Sequence, residues 1–174
     1  MTTLQILNTN SPLPDHLQRI YNKLIEIDPN IILDLNQFEI NPTANLVDQK
    51  YCRFQCQEKE TSQKYTLKIL RQEYLDNPIA SDNLIAEITI LAKYKNPMII
   101  GFKGFAFAET VISEARGYRP ILVLEFTPHP SLHSIIHQDA KLLTGDPVLN
   151  STKKMISMIG MAACLAYLHK NRII

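Results

Sequence analysis

Lys68 is an ammonium in the middle of an apolar alternation, and that gives it a chemical question to answer. It stands in QKYTLKIL (63–70), where Tyr65, Leu67 and Ile69 alternate with Thr66, Lys68 and Leu70, as in a strand with two faces. A second charge is equally out of place. In SDNLIAEITILAKYK, Leu84, Ile88 and Leu91 fall at i, i+4, i+7 and form a core stripe, and Glu87 lies at i+3 on that stripe. Removing one partner of a buried ion pair typically costs about 3–5 kcal/mol, so the economical arrangement brings the two charges together. The alternative sends the Lys68 stem out to solvent and leaves Glu87 at the edge of the stripe.

Other reactive side chains carry less. His129, His133 and His137 recur every four residues in TPHPSLHSIIHQ, a spacing that suits zinc on one helix. Pro130 interrupts the start of such a helix, and a solvent-facing stripe is the ordinary reading, so no metal site is assigned. Cys52 and Cys56 in YCRFQCQ would lie about 13 Å apart on a strand, beyond any bridge, and are read with Phe54 as core. Arg116 and Arg119 fall in a polar stretch and are read as solvated.

The elements that must position Lys68 and Glu87 follow from the pattern of the chain. Residues 1–36 form a leader containing a short amphipathic helix with Leu17, Ile20, Tyr21 and Leu24 on one side, ended by Asp28-Pro29. FEI (38–40) reads as a short strand. YCRFQCQ and YTLKIL are strands joined by the polar link EKETSQ. A helix over roughly 79–95 opens after Asp76-Asn77-Pro78 and is stopped by Asn96-Pro97. MIIGFKGFAF reads as a strand pair or as a strand with an exit turn, AETVISEARGYRP as a polar insertion, and ILVLEF (121–126) as a strand buried on both faces. A short helix follows TPHPSLHSIIHQ, and a long one runs from Ser151 to about Lys170. The class is α+β: an antiparallel sheet with one helix against it, then the beginning of a helical domain.

Composition sets limits on partners and place. The chain has 174 residues, is 45% hydrophobic and 20% charged, and carries a formal net charge of +1. That balance offers no long-range field for nucleic acid or an anionic membrane. MTTLQILNTN is not a secretory signal, and MISMIGMAACLAYL (155–168) is too short to span a bilayer. The expected location is cytoplasmic, with no nucleic acid and no membrane as partner.

Taken together, the blocks resemble the eukaryotic protein kinase domain, in the style of its tyrosine-kinase-like serine/threonine group. YTLKIL resembles the third strand, usually V-A-I-K, and NLIAEITILAKYKNPMIIGFKGF resembles the control helix, turn and fourth strand. ILVLEFTPHPSLHSII is similar to the fifth strand, hinge and next helix, and MISMIGMAACLAYLHKNRII to the long helix before the catalytic loop. The resemblance implies a small lobe of a five-stranded antiparallel sheet plus one control helix over 37–127, hinge included. The first helices of the large lobe follow over 128–174. It implies ATP as ligand, with Lys68 on the α- and β-phosphates and Glu87 holding its ammonium. Thr66 would roof the adenine and Leu124 would be the gatekeeper. The backbone carbonyl of Glu125 and the backbone N–H of Thr127 would make the hinge bonds, and Ser131 would stand near ribose or substrate.

Two departures limit what the resemblance implies. No glycine lies between Phe38 and Phe54, where G-x-G-x-x-G belongs. Counting back from Lys68, its glycine positions fall near Leu46, Asp48 and Tyr51, so ATP binding is expected to be weak or absent. The sequence also ends at NRII, before any H-R-D or D-F-G, so the chain is expected to be truncated, to hold no Mg2+, to have no catalytic residue and to be inactive alone. The final helix, with Met155, Ile156, Met158, Ile159, Ala162 and Ala166, is expected to be packed on several sides and to seek a partner if left uncovered. Three readings stand: an ATP-binding small lobe, a pseudokinase-like module that contacts another protein or a full kinase, and a non-functional gene fragment.

Overall fold

The computed structural model describes residues 2–7, 12–47, 50–74, 77–128, 132 and 150–173. The chain divides into two compact units, one of residues 1–95 and 100–126, the other of residues 96–99 and 127–174.

The first unit is built on one antiparallel sheet. Its strands are β1 (Leu4–Leu7), β2 (Phe38–Val47), β3 (Tyr51–Glu58), β4 (Lys64–Leu70), β5 (Phe102–Ile112) and β6 (Ala115–Glu125), in the order β1-β5-β6-β4-β3-β2. The sheet therefore has six strands where five are expected. The extra one, LQIL, comes from the leader and pairs with the outer end of β5, Leu4 opposite Ile112 and Leu7 opposite Glu109. An edge strand leaves a row of unpaired backbone groups, and β1 covers them. Farther along, the Leu33 N–H donates to the Phe105 carbonyl at 2.7 Å and continues the cover. Gly104 permits this approach: a Cβ there would lie 2.7 Å from the Ile31 carbonyl oxygen. At its other end the leader reaches β2 through the bridge between Thr3 and Thr43.

Three more expectations change. FEI is the start of a ten-residue strand, β2, which continues past two register shifts against β3. MIIGFKGFAF contributes one long strand, and the polar stretch after it forms the far end of the β5–β6 hairpin. Its turn residues Ser113 and Glu114 both have positive φ, 46° and 77°, the conformation that matches the twist of paired strands. Arg119 is not solvated. It is 1% exposed, and carbonyls of the same hairpin take up donors at both of its Nη atoms: Nη1 meets the carbonyls of Thr110 and Gly117, and Nη2 that of Ala115. Arg116 is exposed and pairs with Glu109 at 2.6 Å.

Side chains of period two divide between the faces. Cys52, Phe54, Cys56, Leu67, Ile69, Ala106, Ile121 and Val123 are buried in one cluster. Burial pushes the Cys56 thiol pKa up to about 12, since an apolar surround disfavours the thiolate. The opposite face of β4 carries Thr66 and Lys68 and is met by helix α2 (Pro78–Lys93). Asn77 caps α2 by accepting from the Ile79 N–H at 3.0 Å. The helix ends at Lys93, two residues before the expected limit, with Tyr94 donating to the Ile90 carbonyl. Leu84, Ile88 and Leu91 are buried on it. Helix α1 (Asp15–Ile27) buries Leu17, Ile20 and Leu24, and Arg19 on it pairs with Asp82 of α2 at 2.9 Å.

The second unit contains helix α3 (Ser151–Lys170), capped by the Asn150 side chain on the Lys153 N–H at 2.9 Å. It ends at Lys170, and Arg172 just beyond has a φ of 59°. Among the described residues none of α3 is buried, in contrast to the enclosed helix the sequence suggests. Among the described residues no helix is long and apolar enough to cross a membrane.

Candidate functional site

Lys68 and Glu87 meet. The Lys68 Nζ lies 2.5 Å from Glu87 Oε1, with the lysine side chain 14% and the glutamate side chain 33% exposed. Each is placed by its element's period. Leu67 and Ile69 turn to the core cluster, so Lys68 between them turns to α2. Glu87 lies one helical turn from Leu84 on the side that faces the sheet.

A third residue completes the arrangement. Tyr51, the first residue of β3, donates its hydroxyl to Glu87 Oε2 at 3.3 Å. Its ring centroid lies 4.1 Å from the Lys68 ammonium, within the range of a cation–π contact. The Lys50 ammonium lies 5.2 Å from the same ring. The carboxylate is thus divided, one oxygen to Lys68 and the other to Tyr51. Sequence reasoning missed this residue by counting it as a glycine position. The register carries the signal: Arg53 is the partner of Lys68 across β3 and β4, so an aromatic two residues earlier shares the lysine's face.

The register also fixes the neighbours. Arg53, Lys68 and Leu122 form one row across β3, β4 and β6, and Gln55, Thr66 and Leu124 the next. Thr66 and Leu124 are therefore partners beside the pair, Leu124 buried. Glu125 ends β6. Its N–H donates to the Gly101 carbonyl at 2.7 Å, and its carboxylate accepts from the Gly101 N–H at 3.0 Å. A Cβ on Gly101 would lie 2.9 Å from that carboxylate, which would have to shift to admit it. Thr127 is exposed and belongs to the second unit. Ser131 and the histidines 129, 133 and 137 lie outside the described residues. Among the described residues no cluster of His, Cys, Asp and Glu could hold a metal ion.

A second charged pair sits elsewhere on the sheet. Lys103 Nζ is 2.9 Å from Glu58 Oε1, and the Thr61 hydroxyl donates to Glu58 Oε2 at 2.6 Å. The bond from Lys103, helped by Thr61, holds the Glu58 carboxyl below the usual carboxylate range.

The model of the protein tyrosine and serine/threonine kinase family matches residues 46–174. No curated protein matches the sequence. Among solved structures, the chain is similar to Rad53 1-466 in complex with AMP-PNP, at 20% identity and a TM-score of 0.46. That match covers 58% of this chain and 24% of the Rad53 chain, so the sequence spans about a quarter of the solved protein.

Proposed function

The chain belongs to the protein tyrosine and serine/threonine kinase family, and from that premise we propose that its first unit is the nucleotide-binding small lobe of a serine/threonine-type kinase domain. The observation that carries the reading is the Lys68–Glu87 contact, a cation on a strand held by a carboxylate on the facing helix. A phosphate-binding ammonium must be pinned, because a free lysine loses rotamer entropy on binding. ATP, when bound, would present its α- and β-phosphates to Lys68. Thr66 and Leu124, paired beside it, would wall the adenine. The Glu125 carbonyl, at the end of β6, would bond its edge. Lys68, Thr66 and Leu124 suit such a ligand. The stretch 38–54 suits it less, because it has no glycine to bring backbone N–H groups close to phosphate. The serine/threonine assignment is supported by the style of the sequence blocks, and the protein's place is proposed to be cytoplasmic.

A second reading has an observation of its own. The Tyr51 ring covers the ammonium that phosphate would need, and this favours a pseudokinase-like module that works by contact with a protein partner, such as a full kinase. The two separate in one titration. A magnesium-independent rise in melting temperature with ATP, lost in Lys68→Met, supports nucleotide binding. No rise at any ATP concentration overturns it in favour of the interaction module.

A further inference from the structure

We infer that Tyr51 is the positioning residue of the Lys68–Glu87 pair, a lock that ties the carboxylate and shields the ammonium, so that phosphate reaches Lys68 only when the ring leaves. This rests on the nucleotide reading above for its consequence, and on the geometry alone for the lock itself. Three contacts define it. The Tyr51 hydroxyl binds Glu87 Oε2 at 3.3 Å, Lys68 binds Oε1 at 2.5 Å, and the Lys68 ammonium lies 4.1 Å from the ring centroid. Each member therefore contacts the other two.

The lock follows from the sheet. Tyr51 pairs with Leu70 and Arg53 with Lys68 on the adjoining strand, so the tyrosine side chain leaves β3 on the same face as the ammonium, one pleat away. It is buried despite its hydroxyl, as a tyrosine is when the hydroxyl finds a partner. A glycine-rich turn would leave this volume open to phosphate and would supply backbone N–H groups. Here the first residue of β3 fills it with an aromatic face, which satisfies a cation without an anion from outside. The pair is then complete within the protein, and nucleotide must compete with the ring for the ammonium.

Acylation of lysines by an acetyl N-hydroxysuccinimide ester, followed by peptide mass spectrometry on the full chain, tests the lock. Lys64, exposed on the same strand, is the internal standard. Relative to Lys64, Lys68 is expected to acylate about ten-fold faster in Tyr51→Leu than in the wild type, and to change little in Tyr51→Phe, which keeps the ring. Tyr51→Met serves if the leucine variant does not fold. Equal Lys68 rates in the wild type and the ring-less variant overturn the lock. The same reaction with ATP present judges the nucleotide reading separately. ATP protection of Lys68 that is stronger in Tyr51→Leu than in the wild type supports both. Faster acylation without protection in either protein supports the lock and overturns nucleotide binding, and equal protection in both overturns the gating.

Discussion

Arg119 donates from Nη1 to both the carbonyl and the hydroxyl of Thr110, at 2.9 and 2.6 Å. With the bonds to Gly117 and Ala115, this buried guanidinium closes the far end of the β5–β6 hairpin. Burial lowers its pKa from the ordinary value, a sign that the surround disfavours the charge. Its removal leaves carbonyl groups without partners inside the fold. Arg119→Leu is expected to cost about 2–4 kcal/mol in urea unfolding. Arg116→Leu, which removes an exposed guanidinium from its pair with Glu109, is expected to cost about 1 kcal/mol or less. Equal costs would contradict the assignment.

The leader helix is held by burial more than by charge. Leu24 is fully buried on α1, whereas Arg19 and Asp82 are each more than half exposed at their contact. Leu24→Ala is expected to destabilise by about 2–4 kcal/mol, and Arg19→Ala by about 1 kcal/mol or less. Chemical denaturation of the two variants checks the order.

Glu58 gives the first unit an acid sensitivity of known sign. Lys103 and Thr61 depress its folded pKa, so the folded state holds the proton less tightly than the unfolded chain. The stability this contributes is present above the ordinary carboxylate value and is lost as pH falls below it. Melting temperature measured from neutral pH downward is expected to fall more steeply in the wild type than in Glu58→Gln. Parallel curves would show that the carboxylate carries no such linkage.

The central contact was legible in the sequence because both partners broke a strong pattern. Lys68 interrupts an alternation and Glu87 a helical stripe, and the elements around them obey the periods their burial requires. The leader strand was not legible. LQIL is four residues long and becomes a strand only because the edge of β5 supplies its hydrogen bonds. The hairpin end was misread for a related reason. Its polar residues signal solvent when counted one by one, yet Arg119 finds its acceptors on backbone that the same hairpin folds toward it. Tyr51 was hidden because an absent motif was used to place it. Only the register of β3 against β4 reveals that its ring turns toward Lys68.

A double-mutant cycle on Lys68→Met and Glu87→Leu, read by urea unfolding of the wild type, both single variants and the double variant, tests the central claim most directly. The partly buried contact at 2.5 Å is expected to give a coupling of about 1–2 kcal/mol, between the values of exposed and fully buried pairs. The double variant should be less damaged than the two single losses added together. Strict additivity, with coupling within about 0.3 kcal/mol of zero, would mean that strand and helix do not meet through these two side chains, and would remove the basis for a pinned ammonium.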